Sequence, residues 1–124
     1  MNFAPIVLFA FNRPKALEKS LAALSANQGA SESELYIFID GPRSEEERGK
    51  VDEVFAIAKN ADGFREVSVM RSATNRGLGP SVIDGVTGVI SRYGRVIVLE
   101  DDLVTAPDFI MWMNTGLERY AEED

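Results

Sequence analysis

Val96-Ile97-Val98-Leu99-Glu100-Asp101-Asp102 is the stretch that decides the fold of this chain. Its four consecutive apolar residues are too few for a helix face and predict a strand that is buried on both sides of a sheet. The three carboxylates after them must emerge where the strand leaves the sheet, which is where open α/β sheets bind ligands. Adjacent carboxylates repel one another unless water, hydrogen bonds or a cation offsets their charge, and oxygen donors suit Mg²⁺, Mn²⁺ or Ca²⁺. The alternative is a solvated acidic turn.

Three further segments upstream have the pattern of strands. Residues 6–11 and 35–39 are unbroken apolar runs of strand length, whereas residues 66–70 alternate and are more polar, which is typical of an edge strand. Helical periodicity follows each of the four strands. The predicted N-caps of these helices include Asn12, Ser44, which forms a capping box with Glu47, and Thr105.

This alternation of strands and helices predicts an α/β fold. Near-continuous apolar strands are typical of a parallel sheet that is covered on both faces, so we expect a three-layer α/β/α sandwich with a mainly parallel, Rossmann-like sheet. Residues 1–124 fit a single domain. In the last predicted helix, Trp112 and Tyr120 fit an apolar core stripe better than a sugar-stacking surface.

The composition excludes several kinds of site. The chain has no cysteine and no histidine, so disulfides and thiolate chemistry are ruled out, and any metal must be bound by oxygen. A net charge of −7 argues against a nucleic-acid surface. No apolar run approaches the length that spans a bilayer, and the start of the chain lacks the basic region of a secretory signal. We therefore expect a cytoplasmic protein.

Polar side chains follow the predicted strands at Arg13, Asp40, Arg76 and Glu100-Asp101-Asp102. Because the strand-to-helix loops of a parallel sheet open on the same edge, these residues are expected to converge. Two arginines, the amides of a glycine-bearing loop and an acidic metal ligand suit a nucleotide diphosphate. Alternatively, each arginine is a solvated or ion-paired surface side chain, and Asp40 is a turn former. The chain contains neither a P-loop nor a dinucleotide-binding fingerprint.

The acidic block and the residues after it resemble a known family. Residues 96–103, followed by Ala106-Pro107-Asp108-Phe109, look like the nucleotide-sugar segment of the GT-A glycosyltransferases, a superfamily of nucleotide-diphospho-sugar transferases. They are most similar to the β-1,2-N-acetylglucosaminyltransferase I family, whose DXD-like Glu-Asp-Asp motif is also followed by Ala-Pro-Asp-Phe. Two upstream segments, Asn12-Arg13 and Phe38-Ile39-Asp40-Gly41, match in the same order. Together the matches span nearly the whole chain.

The resemblance implies a metal-dependent glycosyltransferase that binds a UDP-sugar and transfers the sugar, with inversion, to a hydroxyl of a carbohydrate or glycoconjugate acceptor. It implies that Asp102 coordinates Mn²⁺ or Mg²⁺, which would act as a Lewis acid on the departing diphosphate. Glu100 and Asp101 would face the nucleoside or the donor sugar. Asp40 would accept a hydrogen bond from uracil. Arg13 would lie near the nucleotide, and Arg76 is a further candidate ligand.

In that family the catalytic base lies well beyond the acidic motif. We therefore expect this chain to correspond to the donor-binding half of the domain, to lack the acceptor site, and to be inactive by itself. An exposed sheet edge predicts self-association. Two other functions stay open. One is a sugar nucleotidyltransferase, which Asn12-Arg13-Pro14-Lys15 disfavours because it lacks that group's glycine-rich basic signature. The other is a non-catalytic nucleotide- or phosphate-binding module.

Overall fold

A computed structural model describes residues 2–123, with the backbone alone at residues 78, 81, 83 and 120–123. The strands are Ile6–Ala10 (β1), Glu34–Ile39 (β2), Glu66–Arg71 (β3) and Ile97–Glu100 (β4). The helices are Pro14–Ser25 (α1), Glu45–Lys59 (α2), Leu78–Tyr93 (α3) and Phe109–Glu123 (α4), with one 3-10 turn at Ala30–Glu32. This element order confirms the predicted α/β fold.

All strand pairs are parallel, and the spatial order is β3-β2-β1-β4. The prediction that residues 66–70 form an edge strand is confirmed, because β3 lies at one end of the sheet among the described strands and pairs with β2. The strands end in step, since Ala10 pairs with Ile39, Ile39 with Arg71, and Phe9 with Glu100. The segments after all four strands therefore begin at one edge of a Rossmann-like sheet.

Helices cover both faces of the sheet, which gives the predicted three layers. One face carries the large core, in which Ile6 and Leu8 of β1 pack with residues of α1, α2 and α4. The other face carries the small core, built on Val7, Phe9 and Val89 with partly buried residues of β2 and α3. Alternate side chains of β1 thus enter different cores, as the two-residue repeat of a strand requires.

The prediction that residues 96–99 are buried on both sides is wrong. In β4 burial alternates, and the side chain of Val98 is 44% exposed. The physical reason is position, because β4 lies at the sheet edge and α3 packs over β1 instead. Trp112 also departs from prediction, since it is 71% exposed and not part of the core. Tyr120 lies outside the side chains that the structure describes.

The predicted caps are mostly wrong in detail. Arg13 occupies the N-cap position of α1 but makes no side-chain cap bond, and Pro14 is the first helical residue. The Asn12 amide donates instead to Glu47 Oε2 at 2.9 Å. Ser44 does occupy the cap of α2, but its side chain makes no cap bond, and Glu47 accepts from Arg43.

Helix α4 begins four residues after the predicted cap, Thr105. Its first turn is held by the buried Asn27, whose Oδ1 accepts from the Ile110 N–H at 2.9 Å. The same asparagine donates from Nδ2 to Thr105 Oγ1 at 3.1 Å and to the carbonyl of Ala23 at 3.0 Å. A residue from the loop after α1 therefore replaces the local cap.

No helix in the part of the chain that the structure describes combines the length and the apolar character needed to cross a membrane.

Candidate functional site

A pocket of about 500 Å³ opens at the sheet edge where the strands end. Its floor consists of Phe9 of β1 and Phe38 of β2, whose rings are stacked with centroids 5.5 Å apart and planes 26° from parallel. Both side chains belong to the small core. The pocket is thus an opening between the sheet and α3, on the less covered face of the sheet.

Gly85 brings α3 close to the pocket floor. A Cβ at this position would lie 3.2 Å from both Cε1 and Cζ of Phe9 and 3.3 Å from Cε2 of Phe38. These distances are tighter than ordinary van der Waals contact, so any larger residue must displace a ring. The absence of a side chain at Gly85 therefore allows the rings of Phe9 and Phe38 to lie directly against α3.

Asp101 is buried and faces inward, which separates it from its two acidic neighbours. It is 3% exposed, and its carboxylate accepts from Arg13 at 3.0 Å and from the backbone N–H of Phe11. Its carbonyl accepts from the buried Ser20 hydroxyl at 2.6 Å. Burial raises the pKa of Asp101, and the Arg13 guanidinium opposes that rise. The pair fixes Arg13 at the mouth of the pocket, with 56% of that side chain exposed.

Glu100 and Asp102 face solvent beside this pair. Glu100 lines the pocket, and Asp102 is 47% exposed, with its Oδ2 atom 3.9 Å from a terminal nitrogen of Arg13. Among the described residues, no three or more acidic side chains are grouped so that they hold a metal ion by themselves. Oxygen donors still fit a weakly held Mg²⁺ or Mn²⁺, because such ions often take one or two carboxylates and complete their shell with phosphate oxygens and water.

Asp40 is bonded to the loop that precedes α3. Its Oδ1 accepts from the N–H groups of Gly41 and Arg76 at 2.8 and 2.9 Å. Its Oδ2 accepts from the N–H of Gly77 at 3.0 Å and from Asn75 Nδ2 at 3.2 Å. The residue lines the pocket. In this structure, however, both oxygens of its carboxylate accept hydrogen bonds from the protein.

Arg76 and three other arginines stand around the pocket, each with a carboxylate partner. The Arg76 side chain pairs with Asp84 of α3. The remaining pairs are Arg13 with Asp101, Arg43 with Glu47 and Arg71 with Asp52. Of the residues that the sequence singles out, the pocket lining includes Arg13, Asp40, Arg76, Glu100 and Asp101, whereas Asp102 lies outside it.

Sequence reasoning missed the aromatic floor, Gly85 and Arg43 as parts of the site. The floor was detectable in principle, because Phe9 and Phe38 lie two residues and one residue before the ends of the predicted strands 6–11 and 35–39. Arg43 is less obvious, since it enters the pocket through a short turn after β2 and packs 5.3 Å from the ring centre of Phe11.

The chain matches no model of a known protein family, and no curated protein is significantly similar to it in sequence.

Proposed function

We propose that this pocket binds a UDP-sugar and that the chain is the donor-binding part of a metal-dependent GT-A glycosyltransferase. The observation that carries the proposal is the Arg13–Asp101 pair at the end of β1, beside the exposed carboxylates of Glu100 and Asp102. This pair offers a fixed cation at the mouth of a pocket of nucleotide size, and the carboxylates offer metal ligands next to it.

Within this proposal the floor and the rim have different tasks. The stacked rings of Phe9 and Phe38 offer an apolar surface for the nucleoside, while Arg13 binds the diphosphate. Arg76 is a second phosphate ligand if it leaves Asp84. Glu100 faces the ribose or the donor sugar. Asp101 orients Arg13 and does not touch the ligand, because its carboxylate is buried.

The proposed metal ligand is Asp102, whose exposed carboxylate would hold Mn²⁺ or Mg²⁺. When bound, that ion would supply Lewis-acid stabilisation to the leaving diphosphate. Arg13 would lose its 3.9 Å contact with Asp102 and would keep its bond to Asp101. The acceptor is a carbohydrate or glycoconjugate hydroxyl, and no residue of this chain is assigned as the catalytic base.

One observation favours a second candidate, a non-catalytic nucleotide-binding module. Asp101, the middle residue of the acidic block, is buried and paired with Arg13, so its carboxylate is not presented beside those of Glu100 and Asp102. A module of that kind would bind a nucleotide through Arg13 and the aromatic floor, with no dependence on a divalent cation.

Calorimetric titration with UDP, with and without Mn²⁺, separates the two candidates, and ADP and GDP serve as controls for the base. The transferase proposal expects binding that depends on Mn²⁺ and prefers UDP. Replacing Asp102 by Asn should weaken Mn²⁺-dependent UDP binding by about tenfold or more, since even outer-shell partners of a metal are worth that much. The matched control is Asp62→Asn, which neutralises an exposed acid between α2 and β3. Unchanged affinity in Asp102→Asn would refute the metal assignment.

A further inference from the structure

We infer that Asp40 is a positioning residue that holds the loop at residues 72–77 against the pocket, and that it does not read the base of a bound nucleotide. The inference concerns the same pocket as the proposed function and rests on that function only where a nucleotide is the probe. It reassigns the one residue that the family resemblance would give to uracil.

The acceptor positions of the Asp40 carboxylate are already occupied by donors of the protein. An ionised carboxylate has two oxygens with about four lone-pair positions. On Asp40 these are occupied by the N–H groups of Gly41, Arg76 and Gly77 and by the Asn75 side-chain amide. A base N–H can reach this carboxylate only by displacing one of those donors. Because such a displacement leaves a donor without its charged partner, it opposes binding.

The turn after β2 and the loop after β3 are also closely packed. A Cβ on Gly41 would lie 2.5 Å from the carbonyl carbon of Thr74 and 2.9 Å from the Ser72 oxygen, both of them backbone atoms. Asn75 Nδ2 also donates to the Gly41 carbonyl at 2.9 Å, and the Ser72 N–H donates to Ile39 at 2.9 Å. The turn after β2 and the loop after β3 are therefore joined by backbone contact as well as by Asp40.

Two backbone N–H groups of the loop are bound to Asp40 and are not free for a ligand. A glycine-bearing loop at a helix start is often a phosphate cradle, because its N–H groups are free. Here the N–H groups of Arg76 and Gly77 already bind Asp40. Asp40 thus takes the place that an anion would fill, and Arg76 contributes to the pocket through its side chain. The loop supplies shape, and the arginines supply the positive charge.

The deciding experiment compares UDP with CDP on the native chain and on Asp40→Asn. Uracil carries an N–H at position 3, whereas cytosine carries an acceptor there, so a carboxylate that reads the base prefers UDP. If Asp40 positions the loop, Asp40→Asn weakens both nucleotides by the same factor, and the UDP-to-CDP affinity ratio does not change. A loss confined to UDP would overturn the inference.

Amide hydrogen exchange tests the loop without any nucleotide. In Asp40→Asn the new NH₂ group faces N–H donors, so the amides of Arg76 and Gly77 should exchange at least about tenfold faster. The matched control is Asp84→Asn, which also removes a carboxylate from the pocket. The native Asp84 accepts from the Arg76 side chain and not from these backbone amides. Unchanged exchange at Arg76 and Gly77 in Asp40→Asn would also overturn the inference.

A second variant covers the case in which Asp40→Asn does not fold. Asn75→Ala keeps the carboxylate but removes one of its donors, so it should speed exchange in the loop and leave the UDP-to-CDP ratio unchanged. If Asp40 reads uracil, the freed acceptor position should raise that ratio instead. Absence of all nucleotide binding would refute the proposed function alone, because the exchange data still decide whether Asp40 holds the loop.

Discussion

The two faces of the sheet differ in how completely helices cover them. On the large-core face, residues of α1, α2 and α4 bury one side of every central strand. On the small-core face, α3 packs over β1, and the buried members of this core among the side chains that the structure describes are Val7, Phe9 and Val89. The pocket opens on this second face, over Phe9 and Phe38. The comparison suggests that the large core stabilises the fold, while the small core leaves space for a ligand.

A Val→Ala substitution in each of the two cores should show the greatest difference in the free energy of unfolding. Val54→Ala, on α2 in the large core, should lower the free energy of unfolding by about 2–3 kcal/mol. The substitution removes buried methyl groups and leaves a closed cavity in their place. Val89→Ala, on α3 in the small core, should cost about 1 kcal/mol, because the neighbouring pocket lets the site relax. Urea unfolding measures both. Equal losses would mean that the faces contribute alike.

Two glycines of α3, Gly85 and Gly88, differ in the space around them. Gly85→Ala should lower the free energy of unfolding by about 1–2 kcal/mol, because the new methyl group meets the rings of Phe9 and Phe38. It should also weaken nucleotide binding, since a displaced ring enters the pocket. Gly88→Ala has open space around its Cβ and should stabilise the chain by about 0.5–1 kcal/mol through helix propensity. Thermal unfolding of the two variants tests these opposite signs.

Much of the fold was predictable because it depends on local patterns. Apolar runs located β1 and β2, alternation located β3, and helical periodicity located the helices. Burial of Val98 was predicted wrongly because apolar sequence does not reveal which strand lies at an edge. The cap of α4 was predicted wrongly for a similar reason, since Asn27 reaches it from a loop 83 residues away from Ile110.

The site was predictable only to the level of topology. Parallel strands bring Arg13, Asp40 and Glu100 to one edge of the sheet, independently of how their side chains are oriented. The inward orientation of Asp101 was not predictable, because it depends on a buried Ser20 hydroxyl that binds its carbonyl. The hydrogen bonds of the Asp40 carboxylate were not predictable either. Its donors at Asn75, Arg76 and Gly77 lie in the connection after a different strand.

A smaller effect is expected from pH at the rim. Hydrogen bonds from Arg43 lower the pKa of Glu47 to about 2. A lowered carboxyl pKa contributes stability above the ordinary glutamate pKa, and this contribution is lost as pH falls towards about 2. The native chain should therefore exceed Glu47→Gln in unfolding free energy near neutral pH, and the gap should close in acid. Glu46→Gln is the control on the same helical turn. A gap that stays constant with pH would contradict the prediction.

The smallest effect on stability is expected at the exposed edge strand. Val98→Lys should change the free energy of unfolding by no more than about 0.5 kcal/mol, because the native side chain is already 44% exposed. It should nevertheless reduce self-association at high protein concentration, since a lysine on an edge strand opposes pairing with another chain. Sedimentation velocity over a concentration series measures this. A native chain that stays monomeric throughout would remove the basis for self-association.

Two buried asparagines have a consequence for how the molecule unfolds. Asn27 joins the start of α4 to the end of α1, and Asn114 within α4 accepts from the Ala4 N–H, just before β1, at 2.6 Å. Helix α4 is therefore held by hydrogen bonds both to the segment that leads into β1 and to α1. Regions with few buried contacts open first in a folded protein. Here, detaching α4 breaks buried polar contacts at two distant sites at once, so its loss should coincide with cooperative unfolding of the whole sheet.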